Sequence, residues 1–417
     1  MQRLPGFRDF YPEPLPHPDV WSADARNWLF NHWREIARRY GFHEYDGPPL
    51  EPLELFTLKS GAEIVGQLYN FTDKGDRAVA LRPEMTPTLA RLIATHERQY
   101  KKPVKWFAIP QLYRYEKQQK GRLREHFQFN ADVIGEANPG IDAELIALMI
   151  DSLRATGLGA DDFVIRLSSR NAWQQFFDLR GGQAEHAYEF FQIIDKLECE
   201  QPGESAKKLA GIGMSLDAVN EFIQSGQPTD ELKSIIDQLA SRGLGDFVKV
   251  DYHIIRGLAY YTGVVFEAFD LKGEFRAIAG GGRYDNLIKL ISGGKVDLPA
   301  IGFGMGDVVL TELLRSRGKL PAFTAGLDVF VVIEDESLRA ESLRVIQQLR
   351  EAGRAVEFSP GPMKADKQFK RAVELRARFS VRAERAADGV FVARLKNLQS
   401  REETSVPLEQ LAAAVGL

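Results

Sequence analysis

Residues 105–135 read KWFAIPQLYRYEKQQKGRLREHFQFNADVIG, the pattern of a strand, a polar loop and a returning strand. Side chains alternate faces along a strand, so Arg114 and Glu116 share one face while Tyr113 and Tyr115 take the other. On the return, Gln128, Asn130 and Asp132 share a face, and Phe127, Phe129, Ala131 and Val133 take the opposite one. One surface is therefore lined by an arginine, carboxylates and amides, and the other is apolar. An ordinary half-exposed sheet looks similar. The loop adds what alternation lacks, because Lys117, Lys120, Arg122 and Arg124 put four cations at the mouth of the polar surface. Such a hairpin suits a triphosphate or the end of a nucleic acid.

Three further segments carry chemistry. Arg256-Gly257-Leu258-Ala259-Tyr260-Tyr261-Thr262-Gly263 precedes an apolar strand, and its glycines let backbone approach a ligand closely. Arg256 follows two isoleucines, which predicts a largely buried arginine needing an anionic partner, from the protein or from a substrate. Gly280-Gly281-Gly282-Arg283-Tyr284-Asp285 reads either as a turn after a strand at 275–279 or as sheet surface cleared for a flat ligand. Leu81-Arg82-Pro83-Glu84-Met85-Thr86 is a polar strand end and turn that by itself says nothing of function.

The 417 residues predict two or three domains, and 44% hydrophobic content leaves ample core. No apolar run has the length of a membrane span, and the first residues lack a signal-peptide pattern. The single cysteine, Cys199, excludes a disulfide framework, and the seven histidines show no metal-ligand spacing. These features predict a cytoplasmic protein without a structural metal. Net charge is −4, yet residues 361–401 carry eleven Lys/Arg against four Asp/Glu, which fits a solvated helix face or a polyanion surface. A helix is expected over 21–40, ended by Gly41, another over 142–156, and a mainly helical stretch over 172–242. Beyond a linker at 317–322, strands at 328–333 and 356–358 flank a helix at 337–352, the rhythm of a small α/β domain with a parallel sheet.

Taken together and in order, these segments resemble the histidyl-tRNA synthetases, a family of class II aminoacyl-tRNA synthetases. Tyr40-Gly41-Phe42 through Pro48 and Glu51 resembles motif 1, the dimer interface; residues 107–135 resemble motif 2. The segments at 256–261 and 281–285 resemble the two motifs peculiar to the histidine enzymes, and Gly302-Phe303-Gly304-Met305-Gly306 occupies the place of motif 3. The resemblance implies an α+β fold: an antiparallel class II sheet with flanking helices and a helical insertion, plus a C-terminal α/β anticodon-binding domain. It places the catalytic domain at 1–320, the insertion at about 172–245 and the anticodon-binding domain at 327–417.

The implied activity is activation of histidine by ATP, with Mg²⁺ on the phosphates, then transfer to tRNA(His) by a cytoplasmic homodimer. Arg114 would hold the α-phosphate and Arg256 would stabilise it from the opposite side; both count as catalytic. Glu116 would contact adenine, Arg122 the outer phosphates, and His126, with Phe127 beside it, would take the stacking position. Glu84, Thr86 and Gln128 would receive the histidine amino group; Asp132 and Tyr261 would bind the imidazole, with Tyr260 and Tyr284 completing the pocket. The chain departs from the family pattern in carrying Ala259 for the usual Asp, Asp132 where many members carry Glu, and the order His126-Phe127 for Phe-His. The motif 3 arginine for the γ-phosphate is also missing from Gly306-Asp307-Val308-Val309-Leu310. That last departure leaves a second reading, an inactive paralogue acting as the histidine-sensing regulatory subunit of ATP phosphoribosyltransferase.

Overall fold

Leu29, Phe30, Trp33, Ile36 and Ala37 recur at helical spacing and are buried along one side of helix α1 (Ala23–Arg39). Gly41 ends it at φ +76°, and Phe42 N–H donates back to the Ala37 carbonyl to close the C-terminus. The computed structural model describes residues 2–416 apart from 61, 117–120, 198–199, 256–260, 324–325 and 386–389.

The described chain forms two compact units, Met1–Asp9 with Ala25–Pro321, and Phe10–Asp24 with Ala322–Leu417. The domain expected at 1–320 differs from this division at Phe10–Asp24, whose two short strands, Phe10–Tyr11 and Trp21–Ser22, pair with each other.

The first unit is built on a nine-stranded sheet. Its strands are β1 (His43–Glu44), β2 (Val104–Ala108), β3 (Gln111–Tyr113), β4 (Glu125–Ile134), β5 (Phe163–Ser169), β6 (Val248–Val250), β7 (Val264–Asp270), β8 (Ala279–Arg283) and β9 (Ala300–Gly306). The order is β6-β5-β7-β8-β9-β4-β2-β1, with β3 pairing β4 off this path. Pairing is antiparallel throughout the centre and parallel only at the outer pairs, β5 with β6 and β1 with β2.

The apolar face of β4 meets α1: Trp33 stacks on Phe129 at 5.6 Å and Phe30 meets Phe127 edge-on at 5.1 Å. Helix α2 (Thr86–His96) carries Thr86 at its first position. Helix α3 (Pro139–Arg154) is capped by the Asn138 side chain and is almost wholly buried, as its run of apolar residues requires. Helices α4 (Arg170–Leu179), α5 (Ala187–Lys196), α6 (Pro202–Gly211), α7 (Leu216–Ser225) and α8 (Asp230–Ser241) occupy the stretch read as helical. Helix α9 (Asp307–Ser316) leaves β9 directly.

The strand expected at 275–279 lies further on. Residues Ala279–Arg283 form β8, so the glycines are the strand rather than a turn after it. A Cβ on Gly281 would sit 2.6 Å from Phe303 Cβ, and one on Gly282 would sit 2.7 Å from the Val264 carbonyl. Only glycine lets β8 lie this close to its neighbours.

In the second unit β10 (Val329–Val331), β11 (Val356–Phe358), β12 (Phe379–Arg385), β13 (Phe391–Asn397) and β14 (Glu403–Pro407) pair in the order β11-β10-β12-β13-β14. Helices α10 (Arg339–Glu351) and α11 (Ala365–Glu374) link the parallel strands. The sheet is parallel across β11, β10 and β12, as the βαβ rhythm predicts, but antiparallel from β12 to β14. A connection of five residues joins Asn397 to Glu403, too short for the crossover that a parallel pair needs.

Candidate active site

The polar face of the large sheet carries two adjoining cavities. The larger, about 190 Å³, is lined by Arg114, Arg122, His126, Glu267, Val308 and Val309 over a floor that includes Gly280, Gly304 and Gly306. The smaller, about 70 Å³, is lined by Glu84, Thr86, Asn130, Asp132, Tyr261 and Tyr284. Arg114, Gln128, Gly280 and Gly304 line both.

The period-2 reading of β4 holds at the smaller cavity, where Gln128, Asn130 and Asp132 all reach the lining. Space for them comes from β9. Gly302 stands directly opposite Asp132, and a Cβ there would overlap Asp132 Oδ1. A Cβ on Gly304 would lie 2.6 Å from Gln128 Cδ. The glycines of β9 thus make room for the polar side chains of β4.

Asp132 is 3% exposed and accepts a 2.6 Å hydrogen bond from the Tyr284 hydroxyl. Burial pushes its pKa up to about 7, with the Tyr284 bond opposing. The Tyr45 hydroxyl lies buried with no hydrogen-bond partner among the described residues. Burial, with the Asp132 and Asp46 carboxylates near, holds its pKa well above the usual value.

At the larger cavity His126 is held neutral, its pKa pushed down to about 3 by burial and then by the cations Arg114, Arg8 and Arg122. Arg114 Nε donates to the Pro83 carbonyl at 3.0 Å, which anchors its guanidinium beside both cavities. Arg122 Nε lies 2.5 Å from Glu116 Oε2. The first turn of α9 faces this cavity with Val308 and Val309. Acids thus gather around the small cavity and guanidinium groups around the large one. Such a site takes a small polar ligand with cationic groups beside a flat polyanion, and Arg114 stands where the two meet.

The structure does not bring every expected residue here. Phe127 is a correction: strand alternation sends its ring to the apolar face, against Phe30 and Arg26, while its neighbour His126 lines the cavity. Glu116 does not line either cavity, because its carboxylate is held by Arg122. Arg256 and Tyr260 fall outside the described residues. Two polar lining residues, Glu267 and Asn130, are not among those that the sequence assigned to the site. Glu267 was signalled as a lone carboxylate within the apolar run 264–269, and in the structure it stands in β7 opposite Gly280 of β8. Asn130 was signalled by its place between Gln128 and Asp132.

Comparison with known proteins adds the lineage. Residues 18–307 match the family model described as histidyl-tRNA synthetase. The chain belongs to the histidyl-tRNA synthetase family. A histidine–tRNA ligase of Opitutus terrae is 43% identical over 99% of this chain and 98% of its own length. The chloroplastic/mitochondrial histidine–tRNA ligase of Arabidopsis thaliana is 38% identical over 97% of this chain and 85% of its own. The crystal structure of histidyl-tRNA synthetase from Nostoc sp. PCC 7120 superposes with a TM-score of 0.77 at 26% identity, covering 97% of each chain. The class II sheet with flanking helices, and the separate C-terminal sheet domain, are therefore those of histidyl-tRNA synthetases. The family match stops at Asp307, immediately before Val308 and Val309 in the cavity wall.

Proposed function

We infer that this chain is a histidine–tRNA ligase, using ATP to activate histidine and esterifying the 3′ end of tRNA(His). The observation that carries the reading is Arg114, which lines both the carboxylate-rich pocket and the guanidinium-rich one. In the first step a histidine carboxylate oxygen attacks the α-phosphorus of MgATP, the bond to the bridging oxygen breaks, and pyrophosphate leaves. In the second, a terminal ribose hydroxyl of the tRNA attacks the acyl carbon and AMP leaves. Both steps depend on positioning and charge stabilisation rather than on a protein nucleophile.

In this assignment histidine occupies the small cavity, with Glu84, Thr86 and Gln128 receiving the ammonium. Asp132 and Tyr261 take the imidazole, and Tyr284 orients Asp132 through its 2.6 Å bond. A pocket built of buried polar partners discriminates strongly, because a wrong amino acid leaves them unpaired. ATP occupies the large cavity, its base against the neutral His126 ring, its α-phosphate at Arg114 and its outer phosphates at Arg122. Glu116 meets adenine only after its ion pair with Arg122 opens. Arg256 and Tyr260 keep the roles that the resemblance implies. Motif 1 forms a homodimer interface, and the protein works in the cytoplasm; among the described residues no helix is long and apolar enough to cross a membrane. The test is pyrophosphate exchange and aminoacylation with each amino acid in turn. Exchange with an amino acid other than histidine, or none at all, overturns the reading. No observation favours the regulatory-subunit alternative, which predicts histidine binding without exchange.

Arg122 carries an expectation of its own. With Val308 and Val309 on α9, no cation from that turn meets the outer phosphates. Losing one of two guanidinium groups is buffered, and losing the sole one is not. Arg122→Ala is therefore expected to lower kcat/KM for ATP by about 10²-fold or more, with histidine KM nearly unchanged in exchange assays.

The second unit serves as the anticodon-binding domain in this reading. Lys364, Lys367, Lys370 and Arg371 are all exposed on or beside α11. Replacing the four with glutamine is expected to leave pyrophosphate exchange intact while raising KM for tRNA. The log–log salt slope should shrink by roughly 0.7–0.9 for each phosphate that is no longer neutralised. An unchanged slope removes α11 from the tRNA surface.

A further inference from the structure

One buried charge cluster touches both walls of the larger cavity without lining it. Arg8 Nε donates to Glu125 Oε1 at 2.6 Å and Nη1 donates to Asp307 Oδ2 at 2.8 Å, with the three side chains 1%, 1% and 4% exposed. Each carboxylate is also tied to β3 or β4. Gln111 Nε2 donates to Glu125 Oε2 at 2.8 Å, and the Phe127 backbone N–H donates to Asp307 Oδ1 at 2.9 Å. The N-terminal segment is held in turn at the start of β4, since the Gly6 carbonyl accepts from the N–H of Arg124, just before the strand, at 3.0 Å and from that of Glu125, its first residue, at 3.3 Å.

Position gives the cluster its meaning. Glu125 immediately precedes His126 on β4, and Asp307 immediately precedes Val308 and Val309 on α9. Those neighbours line the larger cavity from its two sides. A guanidinium shared by two carboxylates is a planar spacer with fixed geometry. Helix α9 brings only valine side chains to the cavity from its first turn, so no ion pair between its side chains and an anionic ligand fixes its place. An ion triad of this kind adds little net stability over apolar side chains of equal volume, which favours a role in geometry.

We propose that Arg8 is a positioning residue of the nucleotide site: through Glu125 and Asp307 it sets the spacing of β4 and α9, and with it the shape of the cavity that receives ATP. This rests on the assignment of ATP to the larger cavity. Arg8→Met alone would strand two buried carboxylates and can simply unfold. The informative variant is Arg8→Met/Glu125→Gln/Asp307→Asn, which removes the charges while keeping acceptors for Gln111 and the Phe127 N–H. Arg8→Lys is the companion, retaining the charge but not the shared planar fork.

In pyrophosphate exchange the triple variant is expected to raise KM for ATP about tenfold or more, the scale of a displaced binding wall. Histidine KM, measured at saturating ATP, stays within about twofold. Arg8→Lys gives a smaller rise confined to ATP, and it decides the matter if the triple variant does not fold. An ATP KM equal to that of the unaltered chain in whichever of the two folds overturns the proposal. So does a parallel rise for ATP and histidine, which marks general loosening. Absence of histidine-dependent exchange in the unaltered chain, by contrast, overturns the ATP assignment itself.

Discussion

Asp132→Ala is expected to lower kcat/KM for histidine by roughly 30- to 5,000-fold, equivalent to about 2–5 kcal/mol, the scale for truncating one partner of a buried polar pair. Three observations set the size. The carboxyl is 3% exposed, it holds the Tyr284 hydroxyl at 2.6 Å, and Gly302 opposite it offers no side chain to fill the space left. Removal therefore strands Tyr284 as well as the ligand. Exchange assays with histidine varied at saturating ATP measure the loss, and an unchanged kcat/KM would falsify the pocket assignment.

The same residue carries a pH signature. Burial pushes the Asp132 pKa up to about 7, above the roughly 3.9 of an unfolded aspartate. The folded state thus binds a proton more tightly than the unfolded one. Its contribution to stability is present below the unfolded value and is lost as pH rises toward about 7. Asp132→Asn, which cannot ionise, should gain in Tm relative to the unaltered chain as pH rises across that window. Ligand binding runs the other way, because an imidazole N–H needs the ionised acceptor. Histidine kcat/KM should fall as pH drops through about 7, and the asparagine variant should lose whatever part of that limb exceeds the titration of free histidine.

Arg114→Ala is expected to slow adenylate formation by about 10²–10³-fold in kcat, the usual cost of removing one charge-stabilising donor. The guanidinium is tethered by Pro83 and stands at the junction of the cavities, which is where the proposed function places the α-phosphate and the charge that builds on it in the transition state. Histidine KM should move far less than kcat, since the contact matters most in the transition state. Arg114→Lys should recover little, because a single ammonium cannot both hold the Pro83 carbonyl and face two ligands. Single-turnover adenylate formation, with melting curves alongside, separates this from misfolding.

Much of the site was legible along the chain. The alternation of residues 125–134 is a property of neighbours, so it placed Gln128, Asn130 and Asp132 on one face before any fold was known. Helical periodicity and a terminal glycine likewise located α1, and the βαβ rhythm located the parallel part of the second sheet. Motif order carried the family. The resemblance, however, grouped His126 with Phe127, and the alternation that separates them was already in the sequence.

What the sequence by itself determined is the local part: where the clearest helices and the βαβ rhythm fall, which face each side chain of β4 takes, and which family the motifs belong to. Tertiary structure decided the rest. It put the glycines of residues 279–283 inside a strand, because closeness to Phe303 and Val264 depends on chains that meet only after folding. It set Gly302 against Asp132 through strand register. It held Glu116 against Arg122, which turns an expected adenine contact into an ion pair. It also gathered Arg8, Glu125 and Asp307 across separations of 117 and 299 residues. Periodicity is fixed by bonded neighbours, whereas register, burial and charge pairing arise from surfaces that the chain brings together only on collapse.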